Sequence, residues 1–184
     1  MTLTKTPICN FGEKAKDFNL LSTENKKISL NEVKGENGTL IMFICNHCPY
    51  VKAVIKDIVQ DAKFLETLGI KSVAIMSNDV KNYPEDSFDN MSSFSKKHSF
   101  LFPYLIDETQ NVARAYGAVC TPDFFGYNKN LELQYRGRIR ALKDLKPQKN
   151  GDSELRIAMK LVANTEKGPA QQTPSMGCSI KWFK

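Results

Sequence analysis

Two cysteines in the first half of the chain have the spacing of a redox centre. Cys45 and Cys48 are separated by Asn46 and His47, and they follow the apolar run Leu-Ile-Met-Phe-Ile at positions 40–44. Pro49 then opens a pattern typical of a helix. A helix N-terminus carries partial positive charge and unpaired N–H groups, which stabilise a cysteine held there as the thiolate that attacks disulfides and peroxides. The spacing therefore predicts thiol redox chemistry.

Each residue of this segment has an expected role in thiol-disulfide exchange. We expect Cys45 to be the exposed nucleophile and Cys48, one helical turn away, to resolve the mixed disulfide. A partly cationic His47 would lower the pKa of Cys45. The main result would be that Cys45 becomes a better leaving group and that the Cys45–Cys48 pair becomes more oxidising.

Length and cysteine usage limit the class of protein. A chain of 184 residues with 41% apolar content can bury a sizeable core, so we expect a single domain over residues 1–184. Five cysteines, an odd number with one close pair, do not resemble a secreted disulfide framework. No apolar run suits a signal peptide or a membrane span, so we expect a cytoplasmic protein with no membrane partner.

The net charge of +6 permits a nucleic-acid partner, but the lysines are scattered along the chain. Only the segment 135–140 concentrates charge. As a strand it would place Arg136, Arg138 and Arg140 on one face, which we interpret as a solvated edge rather than an anion-binding stripe. We expect no nucleic-acid partner.

The apolar periodicity predicts alternating strands and helices. Apolar alternation about the turn at 22–26 predicts an N-terminal hairpin. The helical spacing of apolar residues predicts an amphipathic helix from Pro49 to Glu66, ended by Gly69. Further strands are expected at 70–76, 102–106, 124–127 and 131–138, the last two as an antiparallel hairpin. Helices are expected from Pro84, after Asp107 with Gln110 completing a capping box, and over 153–163. The predicted fold class is α/β, a mixed central sheet with helices on both faces.

Residues 164–184 form a tail rich in Gly, Pro and Gln. Its end, Met-Gly-Cys-Ser-Ile-Lys-Trp-Phe at 176–183, contains the only tryptophan. We expect this end to dock on the body, whose core spans about residues 12–163.

This order of elements resembles the thioredoxin fold, and more closely the redoxins of the alkyl hydroperoxide reductase/thiol-specific antioxidant (AhpC/TSA) family. The resemblance rests on four segments of the sequence and covers roughly residues 12–163. They are Asp-Phe-Asn-Leu at 17–20, the strand entering Cys-Asn-His-Cys-Pro at 45–49, Phe-Pro-Tyr-Leu-Ile-Asp at 102–107, and Ala-Tyr-Gly-Ala-Val-Cys-Thr-Pro-Asp-Phe-Phe at 115–125.

The resemblance implies the architecture of the site. Pro122 matches a cis-proline that faces the cysteines, and the backbone of Thr121 would pair with an extended peptide or thiol substrate. We also expect Asn46 and Pro49 to contact substrate. Partners would be protein or small-molecule thiols and disulfides, with no cofactor beyond a Cys45–Cys48 disulfide.

The sequence departs from a typical reducing thioredoxin at two positions. Thr39 stands where thioredoxin has a buried aspartate that helps to move protons, and Ile44 replaces the tryptophan before the first cysteine. These departures favour the redoxin branch over thioredoxin itself.

Two alternatives remain open. In peroxiredoxins the attacking cysteine matches Cys48, which would make this a hydroperoxide-reducing antioxidant with Cys45 as the resolving thiol in place of a threonine or serine. The other alternative is a metal site. Structural zinc needs four ligands, and the chain has no second close cysteine pair to supply them. Copper or iron remains possible if Cys120 lies near Cys45 and Cys48. We expect no metal.

The remaining candidates have weaker assignments. Cys120 is either a third redox thiol or a small buried side chain, and Cys178 is either a second resolving thiol or packing. We expect Cys9 to be a bystander and His98 to be solvated. Asp79, at a strand end, would assist proton transfer or cap a helix.

Overall fold

The computed structural model describes residues 2–183. It contains twelve strands, five α-helices and one 3-10 helix. The strands are β1 Leu3–Lys5, β2 Asn19–Ser22, β3 Lys27–Ser29, β4 Gly38–Phe43, β5 Ile70–Met76, β6 Tyr104–Ile106, β7 Cys120–Thr121, β8 Asp123–Tyr127, β9 Leu133–Tyr135, β10 Leu142–Lys143, β11 Lys146–Pro147 and β12 Met176–Ser179. The α-helices are α1 Leu30–Val33, α2 Pro49–Glu66, α3 Phe88–Lys97, α4 Asn111–Tyr116 and α5 Glu154–Thr165, and the 3-10 helix is Pro84–Asp86.

A seven-stranded mixed sheet, in the order β3-β2-β6-β5-β4-β8-β9, forms the body. Strands β4, β5 and β6 run parallel, whereas β8 is antiparallel to β4. All six residues of β4 are buried, since a strand with both faces covered is apolar throughout rather than alternating. Leu40 and Met42 pack in the core cluster of α2 and α5, and Ile41 and Phe43 pack in the cluster of α1 and α4. The predicted mixed sheet with helices on both faces and an N-terminal hairpin is confirmed.

Helix α2 has the predicted bounds, Pro49–Glu66. Pro49 occupies its first turn, where the missing N–H costs nothing. Its apolar face buries Val51, Val54 and Ile58. The helix therefore projects its N-terminus, with Cys48 as the N-cap residue, from the end of β4.

A second sheet, in the order β1-β12-β7, joins both ends of the chain to the body. Strand β12 pairs antiparallel with β7, which places Cys178 opposite Thr121. Beyond it, the Arg114 guanidinium lies 4.4 Å from the centre of the Trp182 ring. The tail therefore packs on the body through β12 and Trp182.

The arginine segment differs from its prediction. Strand β9 ends at Tyr135, and the three arginines each pair with a carboxylate instead of forming a solvated strand face. Arg136 pairs with Asp123, Arg138 with Glu154 and Arg140 with Asp57. Neutralisation by these partners removes the expected charged edge.

The predicted capping box after Asp107 is also wrong. Helix α4 begins at Asn111, and its N-cap residue Gln110 has a left-handed conformation with φ 62°. The Asp107 carboxylate accepts from the backbone N–H of Ala113 at 2.9 Å. The Gln110 amide instead donates to the carbonyls of Ser77 and Lys181, both at 2.8 Å.

None of the helices in residues 2–183 combines the length and apolar character needed to cross a membrane.

The buried Asp123–Arg136 pair gives a stability prediction. Asp123 is fully buried and accepts from the Arg136 Nη2 at 3.0 Å, and the same nitrogen donates to the Gly117 carbonyl at 2.7 Å. Arg136→Ala leaves a buried carboxylate without its cation, so the free energy of unfolding should fall by about 3–5 kcal/mol. Equilibrium unfolding in urea measures it.

Arg138→Ala is the matched control. Arg138 and Glu154 are about one-third exposed, so the loss should stay below about 1 kcal/mol. Equal losses in the two variants would contradict the assignment of Asp123–Arg136 as a buried pair whose cation is needed for stability.

Candidate active site

Cys45 and Cys48 both contact Thr121. The Cys45 Sγ lies 3.3 Å from the Thr121 Oγ1, and the Cys48 Sγ lies 3.1 Å from the Thr121 carbonyl oxygen. The Thr121–Pro122 peptide bond is cis, as the sequence resemblance implied. The two thiols therefore meet at Thr121, where the end of β4, the N-terminus of α2 and the proline loop come together.

Neither thiol is exposed. Cys45 is 1% exposed and Cys48 is fully buried, and both belong to the core cluster that also contains Cys178. The expectation of an exposed Cys45 is wrong, because Cys45 packs in the core and its Sγ lies against the Thr121 side chain. A substrate reaches these sulfurs only if a covering segment moves.

The thiolate position also differs from the prediction. The hydrogen bond from the Cys45 thiol lowers the pKa of Cys48 to about 5, against the opposing effect of burial. The Cys178 thiol and the backbone N–H groups of Val51 and Cys178 lower it further. These donors favour the thiolate form of Cys48, whereas the Thr121 carbonyl favours its protonated form. The lowered pKa of Cys48 and the raised pKa of Cys45 indicate that Cys48 ionises first.

Cys45 keeps its proton. The hydrogen bond to Cys48 and burial raise the pKa of Cys45 well above its ordinary value, and the Asp86 charge raises it further. The expected lowering by His47 is wrong, because the Asp86 carboxylate pairs with the imidazole and its charge raises the pKa of Cys45.

Asp86 holds the loop between the two cysteines. One of its oxygens accepts from the backbone N–H groups of Asn46 at 2.8 Å and His47 at 3.3 Å, and the other pairs with the His47 Nδ1 at 2.6 Å. Asn78 donates to that second oxygen at 2.8 Å. Burial opposes ionisation of Asp86, but these hydrogen bonds lower its pKa. The hydrogen bond with Asp86 raises the pKa of His47.

Sequence reasoning missed Asp86. It lies 39 residues beyond His47, in the 3-10 helix before α3, and only the fold brings it to the loop. The segment Pro-Glu-Asp at 84–86 looks like an ordinary helix start, so its sequence carries no signal of this role.

Asn46 has a different role from the expected substrate contact. Its side chain is buried; it accepts from the Tyr104 hydroxyl at 2.9 Å and donates to the Glu85 carbonyl at 3.1 Å. Asn46 therefore positions the loop. Pro49 remains partly exposed beside Cys48, so its expected substrate contact stays a prediction.

Thr121 also differs from expectation. Its backbone faces Cys178 of the same chain, where the resemblance would place an incoming substrate. The tail continues along the site: Lys181 donates its N–H to the Asn78 Oδ1 at 2.9 Å, and its ammonium lies 5.7 Å from the centre of the Tyr83 ring. Tyr83 in turn stacks on His47 with ring centres 5.7 Å apart.

Three groups here have the right chemistry for a metal. Ligand atoms of Cys45, His47 and Asp86 all lie within 4.8 Å of one another. The two Asp86 oxygens, however, already take part in four hydrogen bonds. A cation would have to displace the His47–Asp86 contact, so this arrangement fits an imidazole–carboxylate pair better than a metal centre.

Four other candidate residues, Cys120, Cys9, His98 and Asp79, have mainly structural contacts. The Cys120 thiol donates to the Pro122 carbonyl at 3.7 Å, and burial raises its pKa, which indicates an unreactive packing role. Burial raises the pKa of the half-buried Cys9 to about 11. His98 is only partly exposed, packed against Phe94 with ring centres 4.5 Å apart, so it is not simply solvated. Asp79 accepts from the Lys81 N–H at 3.0 Å and thus stabilises a turn.

Comparison with known families decides the relationship. The AhpC/TSA family model matches residues 11–142. The chain belongs to the AhpC/TSA family.

Two solved structures are similar to this AhpC/TSA protein over almost its whole length. An uncharacterized conserved protein from Geobacillus kaustophilus is 39% identical with a TM-score of 0.90, covering 100% of this chain and 97% of its own. A hypothetical protein from Sinorhizobium meliloti 1021 is 34% identical with a TM-score of 0.90, covering 98% of each chain. No curated protein matches the sequence.

More distant structures show the fold alone. The thioredoxin domain of a thiol-disulfide oxidoreductase from Bacteroides vulgatus has a TM-score of 0.58 at 12% identity, covering 68% of this chain and 86% of its own. Peroxidoxin BcpB from Mycobacterium tuberculosis has a TM-score of 0.56 at 15% identity, covering 69% and 83%. The predicted thioredoxin-like fold is confirmed.

The Asp86–His47 contact predicts a shifted titration. In this AhpC/TSA protein, Asp86→Asn removes the carboxylate that stabilises the imidazolium, so the pKa of His47 should fall towards its ordinary value. The proton NMR titration is simple because the chain has two histidines, and the His98 titration should stay unchanged. Asp79→Asn is the control, and an unshifted His47 in Asp86→Asn would refute the pairing.

The same contact links stability to pH. The pKa of His47 is higher in the folded than in the unfolded protein, so protonation of the imidazole stabilises the fold. This stabilisation is fully present below the unfolded-state pKa near 6.5 and is lost as the pH rises through the folded-state pKa. Asp86→Asn should remove this pH dependence.

The Cys45–Cys48 hydrogen bond predicts a second shift. Cys45→Ala removes the largest contribution that lowers the pKa of Cys48, so that pKa should rise from about 5. Thiolate absorbance in the ultraviolet, titrated against pH, measures it. Cys9→Ala should leave the low-pH titration in place, and an unchanged titration in Cys45→Ala would contradict the assignment of the thiolate.

Proposed function

We propose that this AhpC/TSA protein is a thiol-disulfide oxidoreductase that uses Cys45 and Cys48 as its redox pair. The observation that supports this most strongly is the convergence of both sulfurs on Thr121, directly before the cis Pro122. A redoxin-type function is supported by the family and by the named oxidoreductases that share the fold.

The proposed exchange begins at Cys48. Its thiolate attacks one sulfur of a substrate disulfide, and the other substrate sulfur leaves as a thiolate. Cys45 then gives up its proton and attacks the Cys48 Sγ, forming the Cys45–Cys48 disulfide and releasing the second substrate thiolate. The substrate gains two electrons and the pair loses two. The reverse sequence oxidises a dithiol substrate.

His47 is proposed to act as the base that accepts the proton of Cys45. Its ring lies within 4.8 Å of the Cys45 Sγ, and Asp86 orients it. Because burial disfavours the Cys45 thiolate, a base at this position lowers the cost of ionising the resolving thiol.

A thiol peroxidase is the second candidate, favoured by the lowered pKa of Cys48. The Cys48 thiolate would attack a hydroperoxide O–O bond to give a sulfenic acid and an alcohol or water, and Cys45 would condense with it, releasing water. The resemblance to peroxiredoxins implies a site arginine, for which the sequence offers no clear match. Arg136, Arg138 and Arg140 are each paired with a carboxylate instead, which argues against this function.

A reducing compartment such as the cytoplasm is also part of the proposal. It rests on the odd cysteine count and the single close pair.

Turnover with two classes of oxidant tests the function. Reduced protein is mixed with dithiothreitol and either a small aromatic disulfide or hydrogen peroxide. We expect catalysed disulfide reduction that falls to the rate without protein in Cys48→Ser, because the attacking sulfur is gone. Cys45→Ser should turn over more slowly than the wild type, because dithiothreitol or another thiol must then resolve the mixed disulfide on Cys48.

Cys9→Ser is the matched control and should react as the wild type. Rapid peroxide reduction that needs Cys48, with slow disulfide reduction, would replace the proposal by the peroxidase. Wild-type rates in Cys48→Ser with both oxidants would refute both functions.

A further inference from the structure

The tail strand β12 occupies the backbone edge next to the active-site proline. Cys178 is the register partner of Thr121, and Ser179 is that of Cys120. The approach is close at Gly177, where a Cβ atom would lie 2.0 Å from the Thr121 carbonyl oxygen. A side chain at position 177 is therefore incompatible with this pairing.

Hydrogen bonds fix the tail on both sides of Cys178. Before it, the Ser175 hydroxyl donates to the Pro122 carbonyl at 2.7 Å. After it, the backbone N–H groups of Lys181 and Phe183 donate to the Asn78 Oδ1 and the Gln110 Oε1, both at 2.9 Å. Cys178 is thus held in place rather than carried past the site on a loose end.

Cys48 lies between two thiols. It accepts hydrogen bonds from the side chain of Cys45 and from the side chain of Cys178, as well as from the Cys178 backbone N–H. Cys178 is 3% exposed and packs in the same core cluster. Thiol-disulfide exchange joins three sulfurs, an attacking, a central and a leaving one, and the Cys48 sulfur has the side chains of both Cys45 and Cys178 as hydrogen-bond partners.

We propose that Cys178 is a third redox residue, an internal substrate that moves the disulfide from Cys45–Cys48 to Cys48–Cys178. This rests on the proposed function, which supplies the Cys45–Cys48 disulfide. The Cys178 thiol loses its proton and attacks the Cys48 Sγ; the Cys48–Cys178 bond forms, the Cys45–Cys48 bond breaks, and Cys45 leaves with the sulfur electron pair and takes up the proton. No electrons enter or leave the protein.

The shifted disulfide has a structural result. It joins β12 covalently to the N-terminus of α2, so the tail cannot leave the edge of β7 while the protein is oxidised. In the reduced protein, only non-covalent contacts hold the tail over the thiols. The redox state would therefore decide whether an extended substrate can reach Thr121.

Disulfide mapping of the full-length protein tests the proposal. Protein equilibrated in glutathione buffers of rising potential is quenched with acid, alkylated and digested with trypsin. Cys45 and Cys48 fall in one peptide, residues 35–52, and Cys178 falls in another, residues 168–181. We expect the two peptides to be cross-linked in the wild type and in Cys45→Ser, and the cross-link to be lost in Cys178→Ala.

Two control variants test whether the cross-link depends on the position of β12 or only on the presence of buried thiols. Cys120→Ala changes a buried thiol on the adjoining strand and should leave the cross-link unchanged. Gly177→Ala keeps all three thiols but pushes β12 away from Thr121, so the cross-link should form at least about tenfold more slowly. An equal rate in Gly177→Ala would refute strand pairing as its cause.

The remaining outcomes distinguish this inference from the proposed function. An internal disulfide in peptide 35–52 at every potential, with no cross-link, would overturn the role of Cys178 and leave the exchange pair intact. Absence of every disulfide in that peptide would overturn both.

Discussion

Thr121 connects the parts of this protein that would otherwise be separate. Its hydroxyl lies beside Cys45, its carbonyl oxygen lies 3.1 Å from the Cys48 Sγ, and its backbone pairs with the tail at Cys178. The cis bond to Pro122 follows directly. Because one short strand makes all of these contacts, the end of β4, the N-terminus of α2 and the tail share a single geometry. Displacing any one of them would change the surroundings of both active-site thiols.

Burial gives these few contacts their strength. Inside the protein a hydrogen bond or charge acts in a lower effective dielectric than in water. The donors around Cys48 can therefore stabilise a thiolate at a fully buried position, while the neighbouring Cys45 stays protonated. The same principle explains why the buried Asp86 is surrounded by donors from Asn46, His47 and Asn78. An ion without such partners would be costly at this depth.

The tail links access to the site with its chemistry. It supplies an N–H and a thiol to Cys48, and it reaches across to Asn78 and the ring of Tyr83. A substrate that binds as an extended strand would compete with β12 for Thr121, whereas a small disulfide or hydroperoxide needs less displacement. Selection by size would thus follow from strand pairing rather than from a specific pocket.

Local sequence determined much of the fold. The strand before Cys45, the bounds of α2 and the docking of the tryptophan-containing end could be predicted because apolar periodicity and N-terminal proline act over neighbouring residues. Motif order also indicated the cis Pro122 and the cysteines of the proposed redox pair. The position of the thiolate could not be predicted, because it depends on donors from Cys178 and Val51 and on the depth of burial. Asp86 and the pairing of the arginines with carboxylates were likewise beyond local sequence, since their partners lie far away along the chain. Sequence determined which residues could do redox chemistry, and tertiary structure decided which sulfur is charged and what covers it, because solvation and long-range contacts arise only when the chain has folded.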